Sequence, residues 1–254
     1  MKIPTIASKT KNNPLIIHIN PIGLIRLGHN NEERFNKFNA ILNDIQNSGG
    51  NIAIPTYSYS YAQNKLYDMK NTPSKLDVVS EYLRKKNVLK RTIDPNFSYL
   101  LFGNNFSTRH FEISDSSSFG SDSLIDDVFL QDGYLGAIGA HPIEYMTEIH
   151  FIEKKLGVDY RFDKKFKGVT ISNSGKKKHS TTTFFCRDLS LNYVPTTIQL
   201  NHDLIAETEE LFEDWIIYDN ILKIKVIRFR AVYDFIREKI IDNPKYLLKE
   251  SSNE

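Results

Sequence analysis

The 254 residues predict a mixed α/β fold: a largely parallel sheet flanked by helices, with a smaller antiparallel β-containing C-terminal part. Three observations carry this expectation. Short apolar runs bounded by turn residues recur in the first half and read as buried strands. Segments with helical periodicity lie between them, and βαβ alternation of this kind argues for parallel pairing with helices on the sheet faces. After Tyr160 the pattern changes to two short strands around the polar turn NSGKKK, an antiparallel hairpin.

PLIIHIN (Pro14–Asn20) is the first strand. The helix that follows carries Phe35, Phe38, Ile41 and Ile45 on one face and stops at Gly49–Gly50. NIAIPT is the second strand, ended by Pro55. The tyrosine-rich stretch TYSYSYAQNKLYDMKNTP reads as a long loop, and such loops in compact domains are more often functional than idle. Ser74 is the expected cap of the helix holding LDVVSEYLRKK. FSYLLFG and YLGAIGA are further buried strands, and HPIEYMTEIHFIEKKLGVDY leads into a helix with Ile149, Ile152 and Leu156 at helical spacing. Beyond the hairpin FKGVTIS/TTTFFCRDL come a helix in HDLIAETEELFEDW, a strand in ILKIKVIRFR and a helix in AVYDFIREKIID, with a frayed tail KYLLKESSNE. No internal repeat or low-complexity linker is present. Residues 1–165 are therefore read as the catalytic core, and 166–254 as an extension packed on it.

Composition narrows the function. A net charge of +2 gives no electrostatic footprint for nucleic acid. The single cysteine, Cys186, rules out an internal disulfide framework, fits a reducing compartment and reads as buried packing in a strand. The sequence has no apolar run of membrane-spanning length, and its first residues lack the apolar core of a signal peptide, so a cytoplasmic protein is expected. There is no P-loop, no dinucleotide fingerprint, no nucleophile elbow, and no histidine or cysteine spacing suited to a metal.

The chemistry concentrates in TEIHFIE. His150 and Glu153, three apart on one helix, are neighbours on one face. A carboxylate beside an imidazole fixes its tautomer and raises its basicity, which suits a general base near neutral pH. Ligands of open α/β sheets bind at the carboxyl ends of strands, which brings Asn20, Thr56, the tyrosine loop and the segment from Ala140 onward towards that helix.

Taken in chain order, seven short motifs resemble the aminoglycoside 3-N-acetyltransferase family, over roughly residues 14 to 170. They are His18 at the end of the first strand; Pro55–Thr56; Tyr67–Asp68 with Thr72–Pro73 and Glu81; and Arg91 with Pro95 and Ser98. Phe119–Gly120 with Ser121, the Thr147/His150/Glu153 helix, and Tyr160–Arg161 with Lys164 or Lys165 and Phe166 complete the series. Two departures stand out. HINP replaces the family's His-Ser-Ser-Leu, removing two hydroxyls, and Asp94 stands where the family usually has His.

The resemblance implies an acyl-coenzyme A donor, an amine on a sugar ring as acceptor, no metal and no covalent acyl-enzyme. His150 and Glu153 are the implied catalytic pair. His18, Asn20, Ile22, Gly23, Thr56, Ser98 and Ser121 are the candidate donor-binding residues, with backbone N–H groups near the first strand's end facing the thioester oxyanion or the pyrophosphate. Tyr57, Tyr59, Asp68, Glu81 and Thr147 are the candidate acceptor-binding residues. A homodimer is left open.

The pI of about 8.4 and the lysines at 164, 165, 167 and 176–178 suit an anionic, nucleotide-linked amino sugar. A cationic aminoglycoside is the alternative acceptor. A non-catalytic relative that binds coenzyme A or sugar is the rival from another class.

Overall fold

Strands and helices alternate from the start of the computed structural model, which describes residues 3–112, 114–196 and 198–250. The end of the tail expected to fray, 251–254, lies outside the described residues. In chain order the elements are α1 (Ile3–Thr10), β1 (Leu15–Ile19), α2 (Asn31–Asn47), β2 (Ile52–Pro55), α3 (Ser60–Gln63), β3 (Leu66–Asp68) and α4 (Val78–Lys86). They continue with β4 (Tyr99–Phe102), β5 (Ser116–Ser117), α5 (Leu124–Leu130), β6 (Tyr134–Ile138), α6 (Ile149–Leu156), β7 (Arg161–Ile171) and β8 (Lys177–Arg187). Last come β9 (Tyr193–Pro195), α7 (Ile198–Thr208), β10 (Glu213–Tyr218), β11 (Leu222–Arg228), α8 (Phe229–Asp242) and β12 (Leu248–Glu250).

The four strands expected to share a sheet do so, in the order β10-β11-β6-β1-β2-β4. The sheet is parallel at its centre, β6 and β2 flanking β1, and antiparallel at β4, β11 and β10. Side chains alternate across a strand, and β1 shows the consequence. Leu15, Ile17 and Ile19 pack on the α1, α2 and α4 side, whereas Ile16 packs on the side of α5, α6 and α8. His18 shares the parity of Ile16, which directs it toward the chain entering α6.

Several local expectations change. Residues 3–10 form a helix that seats Ile6 and Ala7 in the core. The helix expected across 202–215 ends at Thr208, because Trp215 and Ile217 alternate into the core as strand β10. The cap of α4 is Asp77, not Ser74: Asp77 Oδ1 accepts the Val79 and Ser80 N–H groups at 2.8 and 2.9 Å. The long tyrosine loop contains α3 and β3, and β3 joins β7, β8 and β5 in a second sheet.

The position 165/166 lies inside β7, and β10–β11 extend the main sheet. No described helix is long and apolar enough to cross a membrane, and no cluster of three metal-ligating side chains occurs among the described residues.

Candidate active site

A cleft of about 500 Å³ opens at the carboxyl ends of β1 and β2, the edge where open α/β sheets place their ligands. The first turn of α6 forms one wall. There His150 Nδ1 lies 2.7 Å from Glu153 Oε2, and the Arg161 guanidinium sits 2.7 Å from the same oxygen. Glu153 is 1% exposed. Burial pushes its carboxyl up, but the His150 hydrogen bond and the charges of His150 and Arg161 outweigh this and hold it below the ordinary glutamate value. An ionised carboxylate only accepts hydrogen bonds, so Nδ1–H donates to it and Nε2 is left as the ring's acceptor atom. Phe119 packs edge-on against the ring and restricts its rotation.

His18 lines the same cleft and meets a second carboxylate. Its Nε2 is 3.0 Å from Glu148 Oε2, and Glu148 is fully buried. The Tyr99 and Tyr57 hydroxyls reach Glu148 Oε1 at 3.1 and 3.4 Å. Here too burial pushes the carboxyl up, and the charge and hydrogen bond of His18 prevail, holding it below the ordinary value.

The cleft walls include Asn20, Asp77, Glu144, Tyr145 and Thr147. Asn20 Oδ1 accepts the Ile22 N–H at 3.1 Å, and the Asn20 carbonyl accepts the Gly23 N–H at 2.9 Å. Those two N–H groups are therefore occupied, which corrects the expectation that they face a thioester or pyrophosphate. Gly23 serves a close approach instead: a Cβ there would stand 2.6 Å from Gly139 N.

Other candidates lie away from this cleft. Thr56 and Ser98 are buried and bonded to each other, the Ser98 hydroxyl donating to the Thr56 carbonyl at 2.8 Å. Arg91, also fully buried, ties them together through Nη2 to the Thr56 carbonyl and Nε to Ser98 Oγ. These motif residues join β2 to β4 rather than contact a ligand. Tyr57 is a core residue, so it supports Glu148 and cannot stack on a substrate. Tyr59 packs against Tyr57 and Phe97 from a left-handed backbone position. Asp68 caps its own turn at Lys70 and Asn71, and Glu81 accepts from Ser74 N–H and pairs with Arg84.

Ser121 lies in a second cleft, of about 560 Å³, with Asp94, Arg109, His110, Lys165 and Lys167. The lysines read as suiting an anionic acceptor do not line the His150 cleft. Lys165 and Lys167 face the second cleft, and Lys176–Lys178 sit at the hairpin turn. Asp94 accepts the Asn96 and Phe97 N–H groups at 2.8 Å, a turn-capping role.

A family model described as aminoglycoside 3-N-acetyltransferase matches residues 26–238. The chain belongs to the aminoglycoside 3-N-acetyltransferase family. Its enzymes are N-acetyltransferases, and this chain is an acyltransferase of that kind. No curated protein sequence matches it.

Solved structures of similar fold include YokD from Bacillus subtilis, at 14% identity over 95% of this chain and 93% of that one, with a TM-score of 0.63. The AAC(3)-IVa apoenzyme matches at 17% identity over 96% and 89%, with a TM-score of 0.63. AAC-VIa bound to sisomicin matches at 16% identity over 94% and 95%, with a TM-score of 0.67.

Within this family frame, sequence reasoning missed Glu148, Tyr99 and the Arg161–Glu153 pair as parts of the site. Strand alternation was the available signal: His18 and Tyr99 share the face over which residue 148 runs. Arg161 was matched to the family pattern but had no partner assigned.

Proposed function

We propose that this chain transfers a short acyl group from an acyl-coenzyme A thioester to an amine of a cationic amino sugar, with His150 as the general base and Glu153 orienting it. The geometry that carries this reading is the His150–Glu153 contact at 2.7 Å on the wall of an open cleft. His150 Nε2 accepts the proton that the amine nitrogen loses on attack, directly or through a water. The cleft walls near Asn20, Pro21 and Pro55 hold the thioester end in place, and positioning contributes much of the rate of such a reaction. No covalent intermediate is required. Burial pushes the Cys186 thiol up, which disfavours a thiolate nucleophile. Acetyl and short hydroxyacyl donors both suit the site. A cytoplasmic setting fits both the thioester donor and the single cysteine.

Charge favours the cationic acceptor. Asp77 and Glu144 line the cleft, while Arg161 is taken up by Glu153. The relatives point the same way: AAC-VIa binds sisomicin, a mutant of AAC(3)-IVa binds a gentamicin, and AAC-IIIb binds CoASH. The nucleotide-linked amino sugar is the second reading. It rests on Lys165 and Lys167, which line the neighbouring cleft and could hold a diphosphate there.

Thiol release from acetyl-coenzyme A should be compared on a panel of aminoglycosides and a panel of nucleotide-linked amino sugars. The expected result is release with aminoglycosides and little with the anionic sugars. The reverse order would sink the charge argument, and no release with any amine would sink acyl transfer itself.

A further inference from the structure

Two His–carboxylate pairs, not one, face the same cleft, and the acyl-transfer reading uses only His150–Glu153. The second is His18–Glu148. Glu148 precedes α6 and is fully buried, with His18 Nε2 at 3.0 Å and two tyrosine hydroxyls on its other oxygen. Nothing in that arrangement is surface accident: a buried carboxylate needs compensation from every side, and His18 is the basic partner it has. As an ionised, acceptor-only group Glu148 draws the ring proton to Nε2. The tautomer then leaves the Nδ1 lone pair without a hydrogen-bond partner among the described residues, on a side chain that lines the cleft. The two dyads are mirror cases, His150 presenting Nε2 and His18 presenting Nδ1.

Amine chemistry has work for two bases. An alkyl amine enters as an ammonium at neutral pH, and becoming an amide costs its nitrogen two protons. We propose that His18 is a second catalytic base that takes the first proton, converting the bound ammonium to the free amine, and that Glu148 is its positioning residue. This rests on the acyl-transfer reading above.

The steps balance as follows. His18 Nδ1 accepts one proton from the ammonium and later passes it to solvent. The amine lone pair forms the N–C bond to the thioester carbon, and His150 Nε2 accepts the second proton. The C–S bond then breaks with its electron pair on sulfur, which takes that proton from His150 and leaves as the thiol.

The test separates this role from a structural one by the basicity of the acceptor. Purified wild type, His18→Gln, Glu148→Gln and His150→Gln are given acetyl-coenzyme A and either 2-methoxyethylamine, an ammonium at pH 7, or methoxyamine, which is neutral there. Thiol release above the uncatalysed background is measured, with circular dichroism confirming folding of each variant. His18→Gln should lose about a hundredfold in kcat/KM with the alkylamine, the scale of one general base, and at least ten times less with methoxyamine. Glu148→Gln should show the same ordering at smaller size, and provides the check if one variant folds poorly. His150→Gln should lose rate equally with both amines. Equal losses for His18→Gln on the two amines, or no loss on either, would overturn the second-base role. Wild type acylating neither amine, nor any aminoglycoside, would instead overturn acyl transfer.

Discussion

His150 presents Nε2 to the cleft because Glu153 holds Nδ1, so His150→Ala removes the proposed base while leaving the β1 and β2 edge of the cleft in place. Turnover should fall by about a hundredfold or more, with donor affinity little changed. Steady-state kinetics at varied acetyl-coenzyme A checks both halves of that statement, and unchanged turnover would take His150 out of the mechanism. Cys186→Ala should leave turnover nearly intact.

The two buried glutamates also contribute to the acid stability. Both carboxyls are held below the ordinary value of 4.5, so the unfolded chain binds protons at higher pH than the native one. Their stabilisation is fully present above about pH 4.5 and is lost as pH falls through the lower native values. Melting temperatures taken from pH 7 down to 3 should therefore fall less steeply in Glu148→Gln than in wild type. An unchanged slope would mean that the His18–Glu148 pair carries no such linkage.

Elements place these side chains, and some of that placement was legible in advance. The strand β1 follows from the run LIIHI, and the helical spacing of His150 and Glu153 from TEIHFIE. The cleft's location followed from the rule for strand ends. What the motifs do was less legible. Arg91, Thr56 and Ser98, which match the pattern, knit β2 to β4 in this chain, and a sequence motif does not distinguish a buried scaffold from a ligand contact.

Lysine positions were misjudged for a geometric reason. Lys165 and Lys167 are close in sequence to α6, but β7 alternates and carries them to the other cleft, opposite Thr183 and Thr181. Charge reversal at Lys165 or Lys177 should accordingly change the Michaelis constant for an aminoglycoside by less than about twofold, since neither lysine lines the His150 cleft and exposed charges are weakened by salt. A severalfold change would return those lysines to the acceptor site. Gly23→Ala tests the turn after β1 in a different way. Its Cβ would meet the Gly139 backbone, and overpacking of this kind costs about 1–3 kcal/mol. The shift should appear in chemical denaturation as a lower midpoint at unchanged slope.

The whole molecule couples α6, the helix that carries His150, to the chain's last third. β11 pairs with β6 from Lys225–Ala137 to Arg228–Tyr134. α8 then folds back so that Phe229, fully buried, packs on Phe129 and Phe151. Phe151 is the residue after His150, so the support beneath His150 is supplied from a segment about eighty positions later in the sequence. The apolar periodicity of AVYDFIREKIID announced a helix, yet nothing local in it named α6 as the neighbour. Such long-range contacts are decided by sheet order, not by spacing.

Truncation after residue 196 should therefore do more than remove an appendage. It uncovers the β6 edge, which presents unpaired backbone groups, and strips the side of the core that Ile227, Phe229, Val232 and Ile236 fill. The shortened chain should aggregate or show no cooperative melting by circular dichroism and size exclusion. A soluble, cooperatively folding product that retains acyl transfer would show that residues 197–254 are separable from the rest of the chain. The milder variant Phe229→Ala keeps the chain whole. It should cost about 3–5 kcal/mol of stability, and because the cavity opens under Phe151, turnover of the folded fraction should fall as well, through a less firmly held His150.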